Sequence, residues 1–238
     1  MSDKLLFSTV ASNLERVRAS LESAAQRAGR RPDDVRLIAV SKTQPPEAVA
    51  AALAAGQRLF GENTAQDALR KIPYFAGQGL EWHFIGHLQS NKVKFIPGNF
   101  SWLHSLDSLA LAQRLARVAP QTAVQLLIEV NIARDPAKHG VLPEALPALL
   151  EQLLKQGPPG LSLRGLMAIG PPHASETELR TAFAAVRKLR EECAARFSLP
   201  AFTELSIGMS SDFTEAILEG ATLVRVGSAI FGERGQSG

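Results

Sequence analysis

Apolar residues along this chain fall into two patterns, helical spacing and short continuous runs, and the two alternate from end to end. A first helix is predicted from apolar residues three or four positions apart, at Val10, Leu14, Val17, Leu21 and Ala25. We expect Ser8 to cap this helix and Gly29 to end it. Eight short apolar runs follow and predict buried strands at 35–40, 58–61, 82–85, 102–104, 124–130, 163–168, 203–207 and 223–226.

Helical segments separate the predicted strands, at 46–55, 64–72, 90–95, 109–118, 144–156, 175–197 and 212–219. Strict alternation of strand and helix indicates a parallel sheet. Eight such units within 238 residues favour a closed (β/α)8 barrel of the TIM type over an open doubly wound sheet. No linker interrupts the pattern, so we predict an α/β fold with a single barrel domain over 1–238 and an extra helix at the N-terminus.

Composition narrows the class of protein. Hydrophobic residues make up 45% and charged residues 21%, which is typical of a soluble globule. The single cysteine, Cys193, excludes an intramolecular disulfide and a thiolate zinc site, and it fits a reducing compartment. The net charge is only +3, and the chain has no basic stripe, no bilayer-length apolar run and no signal-peptide core. We therefore expect a cytoplasmic protein that binds neither nucleic acid nor a membrane.

Lys42 is the first candidate for chemistry, because it comes directly after the buried run LIAVS at a strand end. In (β/α)8 barrels the active site lies at the carboxyl ends of the strands. A lysine held near the mouth of a barrel is partly removed from water, and a neutral amine can condense with an aldehyde to form a Schiff base. The alternative is a surface lysine that simply ends a strand.

A second candidate is the pair of glycine-containing segments after the last two strands, 206–210 and 225–228. Barrel enzymes often bind phosphate at this position through loop N–H groups, and Ser210 and Ser228 would add hydroxyl donors. The alternative for Ser210-Ser211-Asp212 is an ordinary helix N-cap. An aldehyde-binding lysine combined with a phosphate site suggests pyridoxal 5′-phosphate as cofactor.

Six segments, in order along nearly the whole chain, make the sequence similar to a known family. They are LIAVSKT around Lys42, FGEN at 60–63, EWHFIGHLQSNK at 81–92, LRGLMAI at 163–169, LSIGMSSDF at 205–213 and VRVGSAIFG at 224–232. With them the chain resembles the pyridoxal-phosphate homeostasis protein family, whose barrel is like the N-terminal domain of alanine racemase. His87 is a departure, since many members have proline there.

The resemblance implies a role for each matching residue. Lys42 would carry the cofactor as a Schiff base, and Arg225 would face its pyridine nitrogen. The phosphate would be held by Ser210, Gly227 and Ser228. The resemblance further places Asn63 near the cofactor ring or its hydroxyl, and Met167 and Ser206 on the lining of the pocket.

The resemblance also implies a protein that holds and delivers pyridoxal phosphate inside the cell, without an established reaction. Alanine racemases have a second domain that contributes a catalytic tyrosine, and this chain ends soon after the eighth predicted strand, so we assign no catalytic residue. The implied partners are pyridoxal phosphate and apo forms of enzymes that use it, and we expect a monomer, with dimerisation left open. The alternatives are a slow pyridoxal-phosphate-dependent racemase and a barrel enzyme acting on a sugar phosphate.

The histidines are weaker candidates. His83 and His87 have a spacing that can suit a metal, but no nearby carboxylate completes a set, so we predict no metal site. We expect His104, His139 and His173 to lie in loops or at the rim of the barrel.

Overall fold

Eight parallel strands close into a barrel in chain order in the computed structural model, which describes residues 3–118, 124–158 and 162–232. The strands are β1 Arg36–Val40, β2 Leu59–Glu62, β3 Glu81–Phe84, β4 Trp102–Leu106, β5 Gln125–Val130, β6 Ser162–Ala168, β7 Glu204–Ser206 and β8 Leu223–Val226. The barrel closes where β1 pairs with β8, with Ile38 opposite Arg225. The predicted (β/α)8 architecture is confirmed.

Helices surround the barrel and connect successive strands. The α-helices are α1 Asp3–Arg27, α2 Pro46–Ala54, α3 Ala65–Lys71, α4 Leu109–Val118, α5 Leu146–Gln156, α6 Glu176–Arg196, α7 Phe213–Leu218 and α8 Ser228–Phe231. Short 3-10 helices occur at Pro32–Asp34, Ile72–Phe75, Ser90–Phe95 and Pro143–Ala145. The connection between β3 and β4 therefore contains only a 3-10 helix where the apolar pattern predicted a short helix.

The start of α1 differs from its prediction. The helix begins at Asp3, so Ser8 lies within it as an exposed residue and does not cap it. Leu6 packs against the core one turn before Val10, and this extra apolar contact extends the helix toward the N-terminus. At the start of α4, the Ser108 hydroxyl accepts from the backbone N–H of Leu111 at 3.3 Å and caps the helix.

Two apolar cores result from the alternation of side chains along each strand. The larger core lies between the strands and the helices and contains Phe60, Phe84, Leu103, Ile128 and Val224. The smaller core fills the inside of the barrel and consists of Ile38, Trp102, Leu127, Met167 and Leu223. Side chains two positions apart on a strand share a face. The inner face of each strand therefore continues from this smaller core toward the barrel mouth.

Candidate functional site

A cavity of about 430 Å³ opens at the carboxyl ends of the strands. It is lined by every site residue predicted from the sequence except Ser206, namely Lys42, Asn63, Met167, Ser210, Arg225, Gly227 and Ser228. These residues come from β6 and β8 and from the segments that follow β1, β2, β7 and β8, so only barrel closure brings them together. The volume lies in the range of small-molecule sites.

Lys42 projects from a short segment after β1 whose backbone is held on both sides. Ser41 before it is fully buried, and its N–H donates to the carbonyl of Gly61 on β2 at 3.0 Å. Thr43 after it has a φ of +63°, a left-handed conformation that is uncommon for a residue with a branched side chain. The backbone around Lys42 is thus fixed in a turn that only its surroundings can maintain.

A buried network of charged side chains maintains that turn. The Lys71 ammonium donates to the Ser41 carbonyl at 2.6 Å, to Glu62 Oε1 at 2.8 Å and to Asp67 Oδ2 at 3.1 Å. The Ser41 hydroxyl donates to Glu62 Oε1 at 2.6 Å, and the Thr43 N–H donates to Asp67 Oδ2 at 2.7 Å. Burial raises the pKa of Glu62 to about 7, against the opposing effects of Lys71 and Ser41. Both residues that flank Lys42 are therefore tied to β2 and α3.

The segment after β7 turns sharply toward β8. Gly208 has a φ of +91°, and a Cβ there would lie 2.6 Å from the Cβ of Ala216 on α7, so only glycine fits. The Met209 N–H donates to Asp212 Oδ1 at 2.5 Å, which fixes the turn. At its tip, the Ser210 hydroxyl accepts from the Gly227 N–H at 3.1 Å and connects the two segments predicted to bind phosphate.

Arg225 contributes a buried guanidinium to the wall of the cavity. Its side chain is buried, and burial lowers its pKa to about 10, so it stays protonated at neutral pH. Nη1 donates to the carbonyl and to the hydroxyl of Ser206 at 2.7 Å each, and Nη2 donates to the Ala168 carbonyl at 3.0 Å. Ser206 is fully buried behind Arg225. The prediction that Ser206 lines the pocket is thus modified, because it reaches the cavity only through Arg225.

Asn63 and Met167 both line the cavity. A Cβ on Gly86 would lie 2.1 Å from the Asn63 carbonyl oxygen, so a glycine after β3 is required for the backbone to pass this close to Asn63. Met167 belongs to the apolar core inside the barrel and forms part of the cavity floor. The two residues place an amide and an apolar surface beside Lys42 and Arg225.

The histidine predictions are partly wrong. His104 is fully buried inside the barrel rather than at its rim, and it contacts the buried His83. His87 and His139 lie at the surface and stack on each other with ring centroids 3.7 Å apart. Within the described residues, no three His, Cys, Asp or Glu side chains form a group that could hold a metal ion.

Sequence reasoning missed Glu62, Lys71 and the inward direction of His104. The strand WLHSL contains a signal for the last of these, because Trp102 and His104 are two positions apart and share a face. Glu62 was visible within the FGEN segment, but its partner Lys71 follows nine residues later on α3. Such a pairing depends on how α3 packs against β2, which no local pattern gives.

The chain is similar to an extensive family. Residues 12–235 match the family described as alanine racemase, N-terminal domain. A pyridoxal phosphate homeostasis protein of Pseudomonas aeruginosa is 47% identical over 229 residues, covering 95% of this chain and 96% of the relative. The protein of the same name from Escherichia coli K12 is 42% identical over 234 residues, covering 96% and 98%.

Solved structures resemble the fold over most of its length. PipY of Synechococcus elongatus with PLP bound has a TM-score of 0.81 at 38% identity, covering 94% of this chain and all 100% of that chain. Alanine racemase of Corynebacterium glutamicum has a TM-score of 0.68 at 19% identity, covering 98% of this chain and 63% of that chain, a likeness of fold alone. In the part of the chain that the structure describes, no helix has the length and apolar character needed to span a membrane.

Proposed function

Since this chain belongs to the pyridoxal phosphate homeostasis protein family, within the alanine racemase N-terminal domain family, we propose that it binds pyridoxal 5′-phosphate in the cavity at the barrel mouth and delivers it to other proteins. The observation that carries the proposal is the convergence of an amine, a buried guanidinium and paired serine hydroxyls on one cavity of about 430 Å³. These groups match the aldehyde, the pyridine ring and the phosphate of the cofactor.

The residues fit this cofactor in shape as well as in chemistry. A Cβ added to Gly227 would lie 3.2 Å from the Val40 carbonyl oxygen, so glycine lets the segment after β8 lie close against β1 in the cavity wall. Ser228 is exposed to the cavity, and the Ser210 hydroxyl lies against the Gly227 N–H. Ser210, Gly227 and Ser228 thus offer hydroxyl and backbone donors where a phosphate needs them.

Lys42 supplies the covalent anchor in this proposal. Lys42 Nζ would hold the cofactor through its aldehyde carbon, as a Schiff base formed with loss of the carbonyl oxygen as water. The network of Lys71, Glu62 and Asp67 keeps the backbone around Lys42 in place and leaves the Lys42 amine as the group directed to the cavity. Asn63 and Met167 also line the cavity, where they would contact the ring of the cofactor.

Arg225 restricts what the bound cofactor can do. Pyridoxal phosphate stabilises carbanions when its ring nitrogen is protonated. A guanidinium that remains charged beside that nitrogen disfavours protonation, so the site holds the cofactor in a form that is poor at withdrawing electrons. This electrostatic effect disfavours reactions that need a carbanion to be fully delocalised into the ring.

The delivery experiment compares the loaded protein with free cofactor. Protein loaded with pyridoxal phosphate is mixed with an apoenzyme that requires it, in the presence of a phosphatase that destroys free pyridoxal phosphate. We expect the apoenzyme to regain activity with the loaded protein, and to regain little when the loaded protein is replaced by free pyridoxal phosphate or by the Lys42→Ala variant. Equal recovery with Lys42→Ala would contradict delivery from Lys42.

The second candidate function is a slow amino-acid racemase, which the family relation to alanine racemase favours. It predicts exchange of the α-proton of an amino acid with solvent deuterium, detectable by mass, and loss of that exchange in Lys42→Ala. We expect no exchange above that of free pyridoxal phosphate. Exchange that depends on Lys42 would show that the protein is an enzyme and would contradict the carrier proposal.

Partners and location complete the proposal. The apo forms of pyridoxal-phosphate-dependent enzymes are the proposed recipients, and a monomer in the cytoplasm is the proposed working form. Sedimentation of the loaded protein tests the oligomeric state, with a single species near 25.6 kDa as the expected result.

A further inference from the structure

A continuous line of buried polar side chains runs along the inside of the barrel, from the cavity to the opposite end. Arg225 Nη1 lies 2.7 Å from Ser206 Oγ, which lies 3.0 Å from His104 Nδ1. His104 Nε2 lies 2.9 Å from His83 Nδ1, and His83 Nε2 lies 2.9 Å from Glu81 Oε1. Every intermediate side chain is buried, and Glu81 reaches solvent at the amino end of β3. We call Glu81, His83, His104 and Ser206 the axial chain.

Burial favours the neutral form of both imidazoles in this line, and its carboxylate end then fixes the direction of every hydrogen bond in it. A guanidinium only donates, so Arg225 donates to Ser206, and a carboxylate only accepts, so Glu81 accepts from His83. A neutral imidazole that donates from Nε2 accepts at Nδ1, so His83 Nδ1 accepts from His104 and the Ser206 hydroxyl donates to His104 Nδ1. The Nε2–H of His104 then donates to His83 Nδ1, and the Nε2–H of His83 donates to Glu81. Both imidazoles are neutral and carry their proton on Nε2.

The surrounding charges agree with neutral imidazoles. The hydrogen bond from His83 lowers the pKa of Glu81 and keeps it ionised. Burial lowers the pKa of His83 and of His104, and for His104 the nearby charge of Arg225 has the same effect. The positive charge of Arg36 on β1 also lowers the pKa of both imidazoles.

The remaining neighbours complete the environment of His83. Glu204 on β7 and Glu81 are the carboxylates that oppose Arg36 there. The His83 ring stacks on Trp102 with centroids 5.5 Å apart, and the Arg36 guanidinium lies 5.2 Å from the Trp102 ring centre. The ring of His83 is therefore fixed by packing as well as by hydrogen bonds.

We propose that the axial chain is a positioning device for Arg225, which anchors its guanidinium from the opposite end of the barrel and so fixes the donors that face the cofactor. Three N–H donors of Arg225 are used by Ser206 and Ala168, which leaves the others for the cavity. The negative charge of Glu81 compensates the buried positive charge of Arg225 from the other end of the axial chain. This inference rests on the proposed cofactor site, in which Arg225 faces the ring nitrogen.

The hydrogen-bond direction is tested on the cofactor-free protein. Long-range proton–nitrogen NMR of ¹⁵N-histidine protein distinguishes the two neutral tautomers and the imidazolium. We expect His83 and His104 to show the Nε2–H tautomer, unchanged from about pH 5 to 8. An Nδ1–H tautomer at either position, or titration of either ring in that range, would overturn the axial chain. This outcome does not depend on whether the protein binds pyridoxal phosphate.

The positioning role is tested with two matched substitutions of buried serines. Ser206→Ala removes the hydroxyl between Arg225 and His104, whereas Ser105→Ala removes a hydroxyl on β4 that is buried without a hydrogen-bond partner. We expect Ser206→Ala to shift the His104 Nδ1 resonance and to weaken pyridoxal phosphate binding about tenfold. Ser105→Ala should change neither. Equal affinities of the two variants would exclude the axial chain from positioning Arg225, even if the tautomers are as expected.

The negative charge of Glu81, at the end of the axial chain far from the cavity, allows an independent test. Glu81→Gln keeps a carbonyl acceptor for His83 but removes the anion, and Glu204→Gln removes a carboxylate at the same end of the barrel that pairs with Arg36 instead. We expect Glu81→Gln to lower the midpoint of the pH-dependent visible absorbance of the loaded protein by a few tenths of a pH unit. Glu204→Gln should have a smaller effect. An unchanged midpoint in Glu81→Gln would contradict an electrostatic link to the site.

Discussion

At the scale of single residues, the site depends on groups that hold functional side chains as much as on those side chains themselves. Lys42 was recognisable from the sequence because it follows an apolar run, and Arg225 because it lies in a segment that resembles the family. Their supports, Lys71 and Ser206, were not recognisable as such. A support is defined by distance in three dimensions, and single-sequence patterns report only neighbours along the chain.

The serine hydroxyls provide the first prediction at this scale. The double substitution Ser210→Ala and Ser228→Ala removes both hydroxyl donors proposed for the phosphate, and we expect pyridoxal phosphate affinity to fall roughly 100-fold. Equilibrium dialysis measures the loss. Ser101→Ala, an exposed serine at the other end of the barrel, is the control and should bind like the unchanged protein. An unchanged affinity in the double variant would contradict the assignment of the phosphate to these two serines.

Glu129 gives a pH-dependent prediction. It lies at the end of β5, and burial, with a smaller effect of Asp107, raises its pKa from the ordinary 4.5 to about 7. The folded protein therefore binds this proton more tightly than the unfolded chain does. The stability that results is complete below about pH 4.5 and is lost as the pH rises through about 7.

Glu129→Gln removes this dependence. We expect its free energy of unfolding to fall less steeply between pH 5 and 8 than that of the unchanged protein, by on the order of 3 kcal/mol at most. Urea denaturation at a series of pH values measures the slope. The exposed Glu47→Gln on α2 is the control, and a slope in Glu129→Gln equal to that control would contradict the assignment.

At the scale of elements, apolar patterning predicted which segments are strands and helices and left their ends uncertain. The strand predicted at 102–104 extends to Leu106, and the predicted cap Ser8 lies inside α1. The extension of β4 was hidden because Ser105 interrupts the apolar run, although this serine is buried. A polar residue inside a barrel strand breaks the run without ending the strand.

The connection of β1, β2 and α3 through Lys71 provides an element-scale prediction. Lys71→Met leaves Glu62 as a buried carboxylate without its cation, and we expect a loss of about 3–5 kcal/mol in the free energy of unfolding. Pyridoxal phosphate affinity should fall as well, because the backbone around Lys42 loses its support. Chemical denaturation and dialysis measure the two effects.

Two further variants make this prediction specific. Lys155→Met removes an exposed lysine that pairs with Glu151 on α5, and it should change stability by less than about 1 kcal/mol. The double substitution Lys71→Met with Glu62→Gln should recover part of the lost stability, since no buried carboxylate remains unpaired. If Lys71→Met were as stable as Lys155→Met, the buried network would not be what holds this part of the barrel.

At the scale of the whole molecule, the count and order of elements predicted a closed barrel, and the closure between β1 and β8 confirms it. Closure was inferred from the number of units, because eight strands give a barrel whose interior side chains can fill. The polar line inside the barrel was not predicted. Barrel interiors are usually apolar, and only the closed structure shows that His83 and His104 meet across β3 and β4.

A single closed barrel is expected to unfold as one unit. Trp82 packs against Phe60 and Phe75 on the outer side of the barrel, whereas Trp102 lies inside it, so tryptophan fluorescence reports on both cores. We expect the fluorescence transition in urea to coincide with the loss of helical circular dichroism. Separate transitions would indicate that part of the chain folds independently and would contradict the single domain predicted from the sequence.

The identity of the anchoring lysine tests the account most directly. The protein is incubated with pyridoxal phosphate, reduced with borohydride and digested, and the modified peptide is located by mass. We predict a protein that is yellow before reduction and carries a single pyridoxyl group on Lys42 after it, and neither the colour nor the pyridoxyl group in Lys42→Ala. A colourless protein without modification, or a pyridoxyl group confined to another lysine, would contradict the assignment of the barrel mouth as a pyridoxal phosphate site.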